Sequence, residues 1–460
     1  MDRYLPRAGC TFALALAAGC ATYEPAPLDP LGELASLERQ TLDAFRVEHV
    51  RAGEGAANPG EEFDATDGLD ESELVAVALT LNPDLRARRL EAGEARALLI
   101  TAGLWPNPEI EVSARPGTGS TPGTAVDLDL LFELLRPGER SLREEVAGTR
   151  VEEVLAEIAS EEWELTSEAR AQRVAVLAGE QALALLDQET ALRERGLAIV
   201  RRMREVGEGT ELDVSTAELE VAEVRRDRRR AETDLESARR ELNRLLGLPP
   251  AYPLRLSDSG KPFVVTVVED LPDDALGARL VRGRLDLRAI EKAYAVAEGE
   301  LHLAVLRQIP ALRLGPSYGR DPTGDGFLGL ALGLELPLFD RNQGEIAEKR
   351  SARERARAAY VAALHRLRAA AVEARAQVRR ARLEVEAQER EVLPLVERNQ
   401  SLFDGAVKAG ELGVLDWVTA LQRGLGARQA YLESLVRYQT SVVEYEAALG
   451  VSPSRAVPGR

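Results

Sequence analysis

The sequence predicts a mainly α-helical protein that also carries a membrane β-barrel. Three observations predict it. The chain is an internal duplication. Each copy contains a helical stretch far longer than ordinary globular helices. Each copy also contains two strands whose leucines and valines alternate with polar or small residues.

Composition sets the frame. Of 460 residues, 30% are charged and only 4% aromatic, which suits long helices packed side by side better than an aromatic-rich core. The formal net charge is −18, so no basic surplus exists to displace counterions from phosphates, and a nucleic-acid partner is excluded. An acidic balance fits a cation path, and equally any acidic soluble protein. Cys10 and Cys20 both lie in the first 20 residues, which rules out a disulfide framework. His49, His302 and His365 have no ligand spacing to one another, so neither a resident metal nor a cofactor is expected. No stretch reaches the ~20 apolar residues of a transmembrane helix. A membrane crossing must therefore be made by strands.

The duplication is read from matches that keep their order. Asp84-Leu85-Arg86-Ala87 recurs as Asp286-Leu287-Arg288-Ala289, and Pro108 as Pro310. Glu168-Ala169-Arg170-Ala171-Gln172 recurs as Glu373-Ala374-Arg375-Ala376-Gln377. Gly207-Glu208, Leu212-Asp213 and Thr216-Ala217 recur as Gly410-Glu411, Leu415-Asp416 and Thr419-Ala420, and Leu246-Gly247 as Leu449-Gly450. Each copy begins with a short helix, about 72–103 and about 273–307. Two strands follow, then a long helix over about 139–204 and about 345–407, expected to run without Gly or Pro breaks. A Gly-containing turn and a shorter helix, about 211–246 and about 414–449, complete the unit. Apolar recurrence at three and four residues, as in Val151, Val154, Leu155 and Ile158, marks the helices.

The strands alternate with period two. Val126, Leu128, Leu130, Phe132 and Leu134 share one face, and Asp127, Asp129 and Glu133 the other. In the second copy Leu328 to Leu338, taken at every second residue, oppose Gly329, Ala331, Gly333 and Glu335. The partner strands set Ile110 and Val112 against Glu109 and Glu111, and Leu312 and Leu314 against Arg313. One apolar and one polar face suits a lipid-exposed barrel strand of ~9–11 residues. The same pattern suits a half-buried soluble strand. Four strands cannot close a barrel, and an open edge cannot sit in lipid, so membrane strands require an oligomer. Three copies supply twelve strands. A helix of about 66 residues spans ~100 Å, and two shorter helices end to end match it, which predicts a helical tube continuing the barrel.

The N-terminus reads as a signal peptide over 1–19, with Arg3 and Arg7 before an apolar run from Thr11 to Ala18. Leu16-Ala17-Ala18-Gly19-Cys20 resembles a bacterial lipobox, although Ala17 stands where a larger aliphatic residue is usual. That resemblance implies lipidation at Cys20, and Ala21 after it implies outer-membrane sorting. Ordinary signal cleavage near 18–22 is the alternative.

Leu338-Phe339-Asp340-Arg341-Asn342-Gln343-Gly344, between strand and long helix, resembles the corresponding junction of TolC-family outer-membrane efflux proteins. It is most similar to the heavy-metal cation branch, the efflux lipoproteins that pair with RND-type pumps. Leu104-Trp105-Pro106-Asn107-Pro108 and Asn82-Pro83 resemble the same branch, and the segments 206–213 and 409–416 resemble its periplasmic tips. The resemblance covers about 70–452. It implies a TolC-like homotrimer with four strands per chain, a 12-stranded barrel in the outer membrane and a long periplasmic α-helical barrel. It implies a periplasmic adaptor (membrane fusion) protein and an inner-membrane RND-type pump as partners. The resulting domain reading is 20–71 as a lipidated linker or equatorial segment, 72–250 as repeat 1, 251–452 as repeat 2 and 453–460 as a tail. Strands are expected at about 108–135 and 310–338.

Candidate sites follow. Gly207, Gly209, Leu212, Gly410, Gly413 and Leu415 form adaptor-docking tips, where glycine permits positive φ and close approach; they also reverse the chain. Asp213 and Asp416 are carried over from the family as a periplasmic gate, and equally suit a helix N-terminus. Asp127, Asp129, Glu133, Arg313 and Glu335 are expected to line the barrel lumen. The run Arg225 to Arg230 reads as a solvated helix face. Motifs for phosphate cradling, a nucleophile elbow or HExxH are absent, so no enzyme is expected. The function expected is passive efflux through an outer-membrane channel, with metal cations as cargo. Drug or small-molecule efflux and a type I secretion duct are alternatives within the channel class. A periplasmic adaptor or a structural coiled-coil lipoprotein is the alternative outside it.

Overall fold

A computed structural model describes residues 22–42, 68–116, 123–258, 263, 271–408 and 414–450. The chain divides into two units, Met1–Gln40 and Thr41–Arg460. The described part of the first holds one helix, α1 (Pro30–Glu38), opened by proline in its first turn.

In the second unit the first repeat runs α2 (Glu71–Leu81), α3 (Pro83–Ala102), β1 (Glu109–Pro116), β2 (Thr124–Leu134), α4 (Glu139–Glu205) and α5 (Glu211–Leu245). The second runs α6 (Asp273–Gly283), α7 (Leu285–Leu306), β3 (Leu312–Arg320), β4 (Gly326–Leu334), α8 (Gln343–Ala387), a π-helical turn (Gln388–Val392), α9 (Leu393–Lys408) and α10 (Val414–Leu449). The two orders agree, except that α8, the π-helical turn and α9 together stand where the first repeat has α4. At 67 residues, α4 is ~100 Å long.

Two expectations about the helices are corrected. The stretches 72–103 and 273–307 are each two helices. Pro83 cannot donate to the previous turn, so Asn82 ends α2 and its side chain accepts from Leu85 N at 3.0 Å to start α3. Arg284, with extended ψ, breaks the second copy at the matching place. The second long helix is not uninterrupted. Pro394 has no N–H for the carbonyl one turn back, and the π-helical turn immediately before it absorbs the mismatch.

The breaks are clamped alike in both copies. Asn82 Nδ2 donates to Leu245 O at 3.0 Å, and Arg284 Nη1 to Ala447 O at 2.6 Å. Each joins the short-helix break to the end of the returning helix. Gly247 and Gly450 turn the chain there with φ of 69° and 68°, a region costly for any residue with a Cβ. From the long helices, Arg170 Nε holds Glu71 Oε1 at 2.6 Å, and Arg375 holds Asp273. The apolar cores repeat as well. Leu74, Ala78, Leu242 and Leu246 lie in one, and Leu276, Leu280, Tyr445 and Leu449 in the other. The arginine run of α5 is not only a solvated face: Arg225 and Arg228 reach Glu194 and Asp187 of α4.

The strands form one antiparallel sheet in the order β1-β2-β3-β4. β4 ends at Leu334, so Glu335, Leu336 and Leu338 lie beyond it, and Leu338 N turns back to Leu336 O at 2.8 Å.

Candidate functional site

One face of the sheet is apolar up to Arg320, which lies beside Val126 near the turn between β3 and β4. The register sets Ile110 beside Leu130, Leu128 beside Tyr318, and Tyr318 beside Leu328. Leu328 is 87% exposed and Leu330 79% exposed, with Ile110, Val112 and Leu332 also open. Side chains of this kind leave water only if something apolar covers them; each contributes ~1.5–3 kcal/mol when buried. No helix among the described residues is long and apolar enough to cross a membrane. The sheet is not closed, because β1 and β4 each keep one unpaired edge.

The opposite face is polar. Asp127 accepts from Ser113 Oγ at 3.1 Å and pairs with Arg115. Asp129 lies between Glu111 and Ser317, and Glu133 beside Arg313. Arg313 Nη1 reaches Glu109 Oε2 at 3.3 Å. Four of the five expected lumen residues therefore share one face, while Glu335 lies past the strand end. Leu131 sits on the same face and is buried, which the alternation alone did not reveal. β2–β3 pairing skips Leu130 and Leu131 opposite Gly315 and Pro316, since Pro316 has no N–H for the ladder. A Cβ at Gly315 would lie 1.7 Å from Leu130 O, so only glycine fits.

The exits from the sheet into the long helices are equivalent. Gly138 (φ 81°) and Asn342 (φ 62°) take left-handed N-cap positions. Asn342 bonds Ala304 O at 2.9 Å and Glu345 Oε2 at 2.6 Å, tying the strand exit to α7. The first copy uses a buried Glu139 instead. Burial pushes this carboxyl up, but hydrogen bonds from Arg136 and Arg143 outweigh it and hold it below the usual carboxylate range.

At the far end, α4 meets α5 in a tight turn. Gly207 has φ 82° with open space around it, and a Cβ at Gly209 would crowd Arg204 N at 3.1 Å. Thr210 and Asp213 form a capping box: Thr210 Oγ1 accepts from Asp213 N at 3.1 Å, and Asp213 Oδ2 accepts from Thr210 N at 2.8 Å. The hydrogen bonds from Thr210 hold the fully exposed Asp213 carboxyl below its ordinary value. Leu212 is 74% exposed, and Val206 beside the turn is also open. Gly410 and Gly413 lie outside the described residues, as does Cys20. Leu415 and Asp416 fall in the first turn of α10. Among the described residues no group of three His, Cys, Asp or Glu could hold a metal ion.

Residues 74–248 match the family model described as outer membrane efflux protein. The chain is 24% identical over 384 residues to the cobalt-zinc-cadmium resistance protein CzcC of Cupriavidus metallidurans, covering 82% of this chain and 88% of that one. Among solved structures it is similar to a membrane protein from Pseudomonas aeruginosa, with TM-score 0.69, 20% identity and coverage of 86% and 97%. CusC follows the same fold, with TM-score 0.65, 19% identity and coverage of 85% and 96%. So does the open MtrE channel of Neisseria gonorrhoeae, with TM-score 0.64, 20% identity and coverage of 84% and 90%. The first repeat is thus similar to the outer membrane efflux protein family, and the second repeat follows the same order of elements.

Proposed function

We propose that three copies of this chain form the outer-membrane channel of a tripartite efflux system, passive itself and catalysing no reaction. The observation that carries this reading is the four-stranded sheet with an exposed leucine face and two open edges. An open edge in lipid leaves backbone groups unsatisfied, and joining β4 of one copy to β1 of the next removes it. Twelve strands then enclose a lumen faced by Asp127, Asp129, Glu133 and Arg313, with Glu335 at its periplasmic rim. The long helices continue the lumen into the periplasm. The tips at 206–213 and 409–416 meet a periplasmic adaptor, through Gly207, Gly209, Leu212, Gly410, Gly413 and Leu415. An inner-membrane RND-type pump completes the assembly. Asp213 and Asp416 form acidic rings that narrow and select at the tip; in Asp213 the capping role and the gating role coexist. Cys20 carries a lipid anchor, and the domain limits follow the two repeats.

The cargo is a metal cation. The relative named for cobalt, zinc and cadmium resistance supports this, as does the acidic lumen face. The test uses mature protein extracted in detergent, with light scattering for its mass and planar-bilayer conductance for its pore. A trimer with steady single-channel current, altered by Asp416→Ala, is expected. A monomer that needs no detergent and never conducts overturns the channel. For cargo, a strain lacking the gene should lose tolerance to zinc, cobalt or cadmium; loss of drug tolerance alone overturns the metal assignment.

A further inference from the structure

The two exits from the sheet share their left-handed N-caps and differ in what covers the first helical turn behind them. The match of Pro108 to Pro310 carries Trp105 onto Arg307, and the match of the caps Gly138 and Asn342 carries Arg140 onto Gly344. In the first repeat Trp105 lies under Arg140, whose guanidinium carbon is 6.0 Å from the ring centre, and Arg140 Nε donates to Gly103 O at 2.8 Å. In the second repeat Arg307 Nη1 turns onto Glu345 Oε1 at 2.7 Å, and Gly344 has no side chain to hold a ring. This exit carries a cavity of about 620 Å³, lined by Gln308, Leu338, Phe339, Arg341, Ile346 and Arg350.

The lining has two chemistries. Leu338 and Phe339 are 67% and 94% exposed, and they follow closely on the end of β4, where the open leucine face of the sheet stops. Arg341 and Arg350 are cationic and exposed. Among the described residues neither guanidinium makes an ion pair or a hydrogen bond, although the chain has 77 carboxylates for 59 Lys and Arg. Two like charges sharing one cavity repel, and an anion placed between them removes the repulsion. The planar guanidinium matches phosphate oxygens with two parallel N–H donors.

We infer that this cavity holds the phosphate of an anionic phospholipid from the periplasmic leaflet. Arg341 and Arg350 donate to its oxygens, and its acyl chains run over Leu338 and Phe339 onto the leucine face. The inference rests on the proposed place of the sheet in the outer membrane. A free phosphate would satisfy the arginines and leave Leu338 and Phe339 in water, whereas a lipid satisfies both halves of the lining. The first repeat, with Trp105 in place, offers no matching site, so each chain takes one lipid.

The test is native mass spectrometry of the full-length protein, delipidated in detergent and titrated with dioleoylphosphatidylglycerol, dioleoylphosphatidylcholine or inorganic phosphate. Phosphatidylglycerol should bind at one per chain and more tightly than phosphatidylcholine. R341Q/R350Q should weaken it about tenfold or more, as expected for loss of hydrogen bonds to a charged group. R366Q, which removes an exposed arginine of α8 outside the cavity, should leave binding unchanged. L338S/F339S should weaken phosphatidylglycerol alone. Equal phosphatidylglycerol binding by R341Q/R350Q and the parent overturns the site. Phosphate binding that R341Q/R350Q abolishes, with no lipid bound, overturns the lipid and leaves a free-anion site. Light scattering and bilayer conductance are measured on the same samples. A conducting trimer that binds neither lipid nor phosphate overturns the cavity alone, and a monomer that never conducts overturns the membrane reading and the site with it.

Discussion

The two repeats share a plan and differ in their long helices. α4 runs unbroken for 67 residues, whereas its duplicate is divided by a π-helical turn before Pro394. α4 carries more acidic than basic residues, and α8 the reverse. What is held constant is the clamp at the short-helix break, the left-handed exits from the sheet and the positive-φ glycines. The difference teaches that duplication preserves contacts made within a repeat and releases surfaces that meet different neighbours. Beside the sheet α4 lies between α3 and α7, whereas among the described residues α8 has α7 on one side.

The comparison can be broken most severely in the sheet. Gly315→Val drives a side chain into Leu130 O and should abolish assembled protein, an overpacking cost of ~3 kcal/mol or more. Gly329→Ala, where a Cβ meets nothing, should leave yield unchanged. Yield of heat-modifiable oligomer on gels checks both.

The clamp gives the next largest effect. Gly247→Ala places a Cβ 2.3 Å from Leu81 O, and Gly450→Ala places one 2.9 Å from Gly283 O, each also straining a left-handed residue by ~1–2 kcal/mol. Both should lower the thermal midpoint, Gly247→Ala by more. Equal shifts would show that the clamps are energetically interchangeable despite their different spacing.

Asn82→Ala removes an N-cap and a buried bond to Leu245 O, at ~1–2 kcal/mol together. Arg284→Ala loses the Ala447 bond without a cap and should cost less. Denaturant unfolding in detergent ranks the pair. Pro394→Ala restores a helical N–H and should slow amide exchange around 388–394, with a stability change below ~1 kcal/mol; unchanged exchange would assign the π-helical turn to packing.

The smallest effect is at the tip. Asp213 is held below its ordinary value by Thr210, so its capping contribution is complete above the usual Asp range and is lost as pH falls through the lowered value. Thr210→Ala should move any acid-induced change in channel conductance to higher pH. A profile indifferent to Thr210→Ala removes Asp213 from the gate.

Much of this fold was legible in the chain. The ordered matches gave the duplication, and α4, α5 and α10 begin and end within a few residues of the periodic stretches. Period-two leucines gave the strands, because alternation is fixed by the pleat. Other features were less legible. Pro83 and Pro394 were visible, but one ends a helix and the other sits behind a π-helical turn. At Pro83 the freed carbonyl of Leu79 accepts from Arg89 Nη1 at 2.7 Å, and the break is fixed by the bond of Asn82 to Leu245 O, a contact from a distant segment that no local pattern names. Leu131 and Gly315 were hidden for the same reason: the place where β2 and β3 stop pairing depends on two strands more than 170 residues apart.

By itself, then, the sequence determined the repeat, the lengths of α4, α5 and α10 and the sheet's two faces, all of which are local consequences of period and residue chemistry. Only the tertiary structure decided which helix flanks are covered, where Arg170 and Arg375 fasten, and where β2 and β3 stop pairing. Those are properties of contacts between segments far apart in sequence, and no local pattern specifies the partner.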